Sequence, residues 1–391
     1  MPRKRKAETE AKDKSSPEKR GKTLGGRRAL RSGAGGGGEA AAGGIKSGKG
    51  SKAGKKGKVG KAGSGADRPM SEDQKRRAEA TNSELELEAI PSAQQAEGAR
   101  TVKIVSWNIN SLKAASRDGR LADYVASEDP DVLALQELKL ASEAVANEEA
   151  FAATVAAAGL GHFPHAVWVP SANKGQSGVA LLSKIPWLNV TTKLEMGGHE
   201  LESDGRFVAA EFDDFIVVAT YTPNAGPKLV RLGRRVDVWD AALGAYLEQL
   251  REAAPGKAVV WTGDLNVAPF AIDVANPEKK ESQPGFSPAE RDSFQAICAR
   301  AGLIDTYRKL RDTVADDHPL AAVMDAQIYS FYSYRVRGAR PRNIGWRLDH
   351  FVVSEHALPR VHASIIRPAS VVGSDHLPIV LVLESTTAAT S

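Results

Sequence analysis

The stretch VVWTGDLNVAP, residues 259–269, sets the pattern on which the fold is read. Val259, Val260 and Trp261 are too apolar and too few for a surface helix, and they predict a short buried strand. Gly263 breaks the run, Asp264 and Asn266 follow at once, and Pro269 closes the loop. Polar side chains delivered at the end of a hydrophobic strand are held rigidly at a surface cleft. A lone Asp in a loop is ordinarily a turn former, so the stretch gains meaning only if others of the same build surround it.

Others do. Strands expected over 102–107, 132–135 and 215–220 end in Asn108-Ile109-Asn110, Gln136-Glu137 and Tyr221-Thr222-Pro223-Asn224. Asp349 lies in a strand expected over 348–353, and Asp375-His376 precedes one expected over 379–383. Shorter strands are expected over 165–169, 178–183, 208–212 and 362–366. Helical patterns fall over 121–126, 141–158, 229–251 and 288–301. Strand–helix–strand–helix, then several strands, then helix–strand, occurs roughly twice. That order predicts a four-layer α/β sandwich, two central mixed or mostly antiparallel β-sheets flanked by helices, in one domain over 101–385.

Composition agrees with a large core and separates it from a tail. Of 391 residues 42% are hydrophobic. Residues 1–100 carry 24 Lys/Arg against 13 Asp/Glu, a net of +11, which leaves −6 for the rest of a chain whose total is +5. A polyanion would therefore have to be met by a local patch of the folded part. The tail is rich in Lys, Gly, Ala and Ser, cannot offset its chain entropy by burial, and is expected to be disordered, as are residues 386–391. Pro2-Arg3-Lys4-Arg5-Lys6 is a basic cluster of the nuclear-import type, so a nuclear protein is expected. Gly43–Gly50 nearly spells a phosphate-binding loop but lacks the Ser/Thr and the flanking strand and helix. Asn189-Val190-Thr191 matches a glycosylation sequon that has no meaning without secretion. The single cysteine, Cys298, excludes a disulfide framework and reads as a buried structural thiol. No apolar run reaches the ~20 residues that span a bilayer, and the expected class is a soluble intracellular protein with no membrane partner.

Collected at strand ends, Asn108, Glu137, Tyr221, Asn224, Asp264, Asn266, Asp349, Asp375 and His376 make a hard-oxygen set with one imidazole. Such oxygens suit Mg²⁺ rather than zinc, and the eight histidines are scattered. A His beside carboxylates serves as phosphate-binding cation or general acid/base. Asn amides and a Tyr hydroxyl donate where charge develops on a phosphoryl oxygen. Together they point to metal-assisted phosphoester hydrolysis.

SWNINSL (106–112), LQELK (135–139), YTPNAG (221–226), GDLNVAP (263–269), GWRLDHF (345–351) and GSDHLP (373–378), in this order, closely resemble the exonuclease III-type apurinic/apyrimidinic (AP) endonucleases. The resemblance implies a Mg²⁺-dependent enzyme of base excision repair, with Mn²⁺ as a substitute ion. Such an enzyme cuts 5′ to an abasic site in double-stranded DNA and leaves a 3′-hydroxyl, with 3′-phosphodiesterase and weaker 3′–5′ exonuclease activity. It implies catalytic roles for Tyr221, Asn224, Asp264, Asn266, Asp349 and His376. Asn108, Glu137, Asp264, Asn266, Asp375 and His376 form the implied metal neighbourhood, with Glu137 the principal ligand and Asp349 orienting His376. Phe331, Trp346 and Leu348 match a pocket for the base-less sugar, and Arg206, Lys228 and Arg335 are expected to meet substrate. Arg335, Arg337, Arg340 and Arg342, interleaved with Tyr332 and Tyr334, are spaced to grip backbone beside the lesion. Asn110 stands where animal members have an acid, and Pro227-Lys228 follows NAG where some place an Arg. A monomer, with other repair proteins meeting the tail, completes the expectation. The alternatives are a phosphatase or lipid phosphodiesterase on the same scaffold, and a non-catalytic DNA-binding protein.

Overall fold

A computed structural model describes residues 100–386 apart from 118, 317, 327 and 368–372. The basic tail with its import cluster and the Gly43–Gly50 tract, and residues 387–391, lie outside the described residues. Twelve strands are formed: β1 (Arg100–Asn108), β2 (Val132–Gln136), β3 (His165–Val169), β4 (Val179–Ser183), β5 (Asn189–Thr191), β6 (Phe207–Glu211), β7 (Phe215–Tyr221), β8 (Ala258–Asp264), β9 (Leu303–Asp305), β10 (Asp349–Ser354), β11 (Val361–Ile366) and β12 (Ile379–Ser385). They make two six-stranded sheets, in the orders β11-β12-β1-β2-β4-β3 and β5-β6-β7-β8-β10-β9. Helices pack outside, as the strand–helix order predicts.

Each sheet has one parallel pair, β1 with β2 and β7 with β8, among otherwise antiparallel neighbours. Parallel pairing aligns carboxyl ends, where open α/β sheets place their ligands. The registers set Asn108 beside Gln136 and Tyr221 beside Asp264. Antiparallel β10 starts with Asp349 directly opposite Asp264. Along β8 the side chains alternate: Val259 and Trp261 join the outer cluster with Trp239, Leu243, Leu247, Phe294 and Ile297, while Val260 joins the core between the sheets. Asp264, an even number of residues from Val260, therefore projects into the space between the sheets at their open end.

Local chemistry explains where the elements depart from expectation. The helix predicted over 141–158 is two, Ser142–Ala146 and Glu148–Ala157, because the Asn147 side chain accepts the Ala150 N–H and caps the second. The segment 229–251 is a 3-10 turn at Pro227–Leu229, a π-helical stretch at Arg234–Asp240 and an α-helix only over Ala241–Ala253. Cys298 is buried in the helix Pro288–Ala301, and that burial, with Asp305 nearby, pushes its thiol up, as a structural thiol requires.

An ion network braces the strand that carries Asp349. Arg347, 1% exposed, donates Nε and Nη2 to Asp273 (2.8 and 3.0 Å) and Nη1 and Nη2 to Asp305 (3.1 and 2.6 Å). Burial would raise the Asp273 carboxyl, but Arg347 and Arg308 outweigh it and hold it at about 2. His350, beside Arg347, is pushed down to about 4 by burial and by that cation, so it is neutral in the folded protein. Between its ordinary 6.5 and 4 the unfolded chain binds the extra proton, so stability falls as pH drops through that window. Asp273 adds a loss only at lower pH, between its ordinary 3.8 and 2. Urea unfolding at pH 7.5 and pH 5 should show the first loss. Arg347→Met, which takes the shared cation from partly buried Asp305 and leaves buried Asp273 with Arg308 alone, should cost about 3 kcal/mol at pH 7.5. A midpoint unchanged in both experiments would remove the network from the stability account.

Candidate active site

The strand ends converge as their residue types require. Gly263 has φ 130°, and a Cβ there would meet the Thr220 carbonyl oxygen at 1.9 Å, so only glycine lets β8 lie against β7 at this point. Beyond the strands the backbone turns sharply: Asn110, Glu137, Lys139 and Asn266 all have φ near +50°. Asn adopts that region readily. For Glu and Lys it is costly and persists only where surrounding contacts determine it, as around functional groups.

Glu137 is held from three sides. Tyr221 Oη donates to its Oε1 at 2.7 Å, Asn108 Nδ2 to the same oxygen at 3.3 Å, and Lys139 Nζ pairs with Oε2 at 2.9 Å. Burial opposes its charge, but the bonds from Lys139 and Tyr221 prevail and hold the carboxyl below the ordinary range. Burial, then the fields of Glu137 and Asp264, keep the Tyr221 phenol well above its ordinary value. It is a neutral donor. Asn108 also donates to Asp264 Oδ2 at 3.0 Å, so one amide spans both carboxylates. Asn110 donates Nδ2 to Asp375 Oδ1 at 2.9 Å and accepts from Lys139, which ties Asp375 to the same edge.

Deeper in, Asp264 accepts the Asn266 N–H at 3.0 Å, and Asn266 Oδ1 accepts from Asn224 Nδ2 at 2.9 Å. His376 Nδ1 donates to Asp349 Oδ2 at 2.8 Å, and its Nε2 lies 3.7 Å from Asp264 Oδ2. Burial disfavours the imidazolium, yet Asp349 and then Asp264 overcome it and raise the imidazole far above its ordinary value. Asp264 is raised as well, by burial first, with His376 opposing and Asp349 and Glu137 adding. The arrangement is a cation clasped between two buried carboxylates.

Oxygens of Asp264 and Asp349 and a ring nitrogen of His376 lie within 4.8 Å of one another, a spacing a metal could use. His376 Nδ1 is committed to Asp349, so only Nε2 and the carboxylate oxygens of this group are left to face an ion. Asn266 has its carbonyl oxygen engaged by Asn224. The more open edge is that of ionised Glu137 and Asp375, whose carboxylates suit a hard cation, with fully buried Asn108, its Oδ1 already accepting the Asn110 N–H at 3.1 Å, and Asp264 at the inner boundary. The six residues expected around a metal thus lie partly on this open edge and partly in the buried group around His376.

Phe331, Trp346 and Leu348 form an apolar cluster with Ala268, Val274 and Phe286. The Phe331 ring lies 4.7 Å from the His376 ring, so apolar wall and imidazolium share a boundary. Leu348, 6% exposed, supports that wall from behind, while Phe331 and Trp346 are half-buried. Arg206 stacks over Tyr221 at 4.8 Å and bonds Asp204 (3.2 Å) and the Tyr221 carbonyl (3.2 Å), so it braces the phenol. Lys228, in the 3-10 turn Pro227–Leu229, and Arg335, in the loop after Phe331, are exposed. Arg340 and Tyr332 differ from the expected grip on backbone. Arg340 is turned inward onto the carbonyl oxygens of Ser374 and His376, and Tyr332, 2% exposed, donates to Asn343.

Several contributors were not anticipated. Ser330 Oγ donates to Asp349 Oδ2 at 2.7 Å while accepting the N–H groups of Leu348 and Asp349, each at 3.0 Å. Trp107 Nε1 donates to the His376 carbonyl at 3.1 Å, and Lys139 bridges Glu137 to Asn110. Trp107 and Lys139 lie inside the motifs at 106–112 and 135–139, and Ser330 directly precedes Phe331, but nothing in those motifs states these contacts.

Comparison with known proteins agrees with this geometry. The model of the Endonuclease/Exonuclease/phosphatase family matches residues 105–376. The chain is 41% identical over 286 residues to the DNA repair nuclease APEX1 of Danio rerio, covering 73% of this chain and 83% of that protein. It is 35% identical to an exodeoxyribonuclease of Bacillus subtilis (strain 168), over 72% of this chain and 99% of that one. Among solved structures, the AP endonuclease LMAP from Leishmania major superposes with a TM-score of 0.62 at 27% identity, covering 81% of this chain and all (100%) of that one. With motifs, topology and site in register, the chain belongs to the endonuclease/exonuclease/phosphatase family, within its exonuclease III-type AP endonuclease branch.

Proposed function

We propose that this protein hydrolyses the DNA phosphodiester 5′ to an abasic site, leaving a 3′-hydroxyl and a 5′-sugar phosphate. The observation that carries the reading is the contact between the Asp264–His376–Asp349 triad and the apolar wall of Phe331 and Trp346. Phosphate chemistry and a niche for an uncharged, base-less sugar are neighbours there. An abasic nucleotide leaves the helix at low cost because no pairing is lost. His376, cationic and oriented by Asp349 and Ser330, neutralises charge on the scissile phosphate. Asp264 Oδ2 takes a proton from the attacking water, whose oxygen bonds to phosphorus as the bond to the 3′-oxygen breaks and that oxygen takes up a proton from solvent to become the 3′-hydroxyl. Asn224 and Asn266 donate amide hydrogens to the phosphoryl oxygens, Tyr221 joins them by turning its one hydroxyl hydrogen from Glu137 to the phosphate, and Lys228, Arg206 and Arg335 supply positive charge around the strand. Glu137, Asn108 and Asp375 would hold Mg²⁺, or Mn²⁺ in its place, which supplies charge neutralisation at the phosphate when bound.

The same site, offered a blocked 3′ end, would act as 3′-phosphodiesterase and more slowly as 3′–5′ exonuclease. Residues 101–385 are the catalytic domain in this reading. The basic tail directs nuclear import and meets repair partners, and the protein acts as a monomer on duplex DNA. No described helix is long and apolar enough to cross a membrane.

Incubation of a defined abasic duplex, an intact duplex and inositol phosphates, each with Mg²⁺ and with chelator, tests the proposal. One nick 5′ to the abasic site is expected, with a 3′-hydroxyl end and a loss of about 10²-fold or more on chelation. Faster release of phosphate from the inositol substrates would transfer the protein to the phosphatase reading. Duplex binding that vanishes on removal of residues 1–99, with no nicking at any salt, would leave only a tail-driven binder.

A further inference from the structure

Arg235 and Asp240 lie in the π-helical stretch Arg234–Asp240, just ahead of the α-helix Ala241–Ala253. Residues five apart on an α-helix point about 140° away from each other, whereas the i→i+5 repeat of π winding sets them on one face. Arg235 Nε and Asp240 Oδ1 meet there at 2.8 Å, and both residues are 2% exposed. Asp240 Oδ2 in turn accepts Ser293 Oγ at 2.8 Å, from the helix Pro288–Ala301. The rest of the guanidinium faces three carbonyl oxygens: Pro223 at 3.2 Å, Asn266 at 3.4 Å and Leu265 at 3.0 Å. Pro223 belongs to the segment that carries Tyr221 and Asn224, and Leu265-Asn266 to the one that carries Asp264. A planar fork of five N–H donors can span such a set, and an ammonium cannot.

We propose that Arg235 is a positioning residue: a buried cation that clamps the segments after β7 and β8 and so sets Asn224, Asp264 and Asn266 at their working separation. It is too deeply buried to touch DNA. Its removal leaves three inward carbonyl oxygens without their shared donor, and the segments part to let water in. The inference rests on the nuclease reading for its kinetic arm and not for its structural one.

For Arg235→Lys, kcat on an abasic duplex should fall about 10- to 100-fold, because a displacement of an ångström at reacting groups costs that much. KM should stay within about twofold, since Arg206, Lys228, Arg335 and the apolar wall are untouched. Arg235→Met should lose more and be partly restored by guanidinium ion. Amides at 222–226 and 265–266 should exchange with deuterium faster in Arg235→Lys than in the parent, whether or not the protein nicks DNA. A folded Arg235→Lys with parental kcat per active site and unchanged exchange overturns the proposal. So does a loss confined to the fraction of active molecules in a burst measurement. If Arg235→Met does not fold, Arg235→Lys, which keeps the charge opposite Asp240, decides alone. A parent protein that fails to cut abasic DNA would sink the nuclease reading, while the exchange comparison still judges the clamp.

Discussion

Asp264→Asn should lower the single-turnover rate on an abasic duplex by about 10³-fold or more while leaving duplex affinity nearly unchanged. The substitution is isosteric, and the groups proposed to meet the strand, Phe331, Trp346, Arg206, Lys228 and Arg335, are elsewhere. What disappears is the proposed proton acceptor, and its surroundings offer no ready replacement. Glu137 is stabilised as an anion by Lys139 and Tyr221 and so is a poor base, whereas Asp264 is raised by burial and by the nearby Asp349 and Glu137. The new amide also fits badly. Asn108 Nδ2 and the Asn266 N–H both donate to the native carboxylate, so any orientation of the Asn side chain sets one donor against another. The pH profile supplies a second reading. A base must be deprotonated, so the parent rate should rise with pH through a limb set above the ordinary carboxylate range, and the residual rate of the variant should lack that limb. A variant that cuts at near-parental rate would remove Asp264 from the proton transfer.

How much of this could be read from sequence depended on whether a role was local. The helix Pro288–Ala301 carries its own punctuation: Ser287 accepts the Glu290 N–H in a capping box, Pro288 opens the first turn, and Gly302 ends the last with φ 62°. Its bounds were legible to the residue. The segment 229–251 has helical periodicity but conceals a π-helical stretch, in which Arg235 reaches carbonyls of Pro223, Leu265 and Asn266 that lie far off in sequence. Asn189–Thr191, met as a glycosylation triplet, is the edge strand β5, paired to Ala209–Glu211, and nothing local announces a three-residue strand. β9 and the helix Thr306–Thr313 were missed for the same reason. At the site, residues with chemistry of their own stood out at strand ends. Ser330 and Trp107 did not, because a serine and a tryptophan are ordinary core residues until Asp349 and the His376 carbonyl, 19 and 269 positions away, are brought to them. Arg340 and Tyr332 show the converse: a basic, aromatic loop reads as a grip on DNA, while two of its members are spent on contacts within the protein. Of the two, Arg340 holds the carbonyls of Ser374 and His376, while the Tyr332 hydroxyl bonds Asn343 within the loop itself, and composition cannot tell an outward arginine from an inward one.

His376→Asn should reduce turnover by about 10²–10⁴-fold, and Asp349→Asn should separate charge from mere occupancy in explaining it. In the parent, Asp349 at 2.8 Å and Asp264 at 3.7 Å keep the imidazole protonated far above its ordinary range. The rate should therefore fall on the alkaline side only where that proton is finally lost. Asparagine at 376 can donate one hydrogen bond but carries no charge, and it leaves Asp264 and Asp349 facing each other across the strand pair without a cation between them. Asp349→Asn keeps the imidazole and removes the larger of the two fields that hold its proton. Its rate should fall less than that of His376→Asn at neutral pH, and its alkaline limb should move to lower pH. The direction follows from the sign: withdrawing a neighbouring negative charge lowers the pKa of a cation. Ser330→Ala, which removes one donor from the same carboxylate oxygen, leaves that charge in place and should move the limb little. Rate profiles from pH 6 to 10 on one abasic duplex would compare all three variants. An alkaline limb that stays where it was in Asp349→Asn would mean that the proton on His376 takes no part in the reaction.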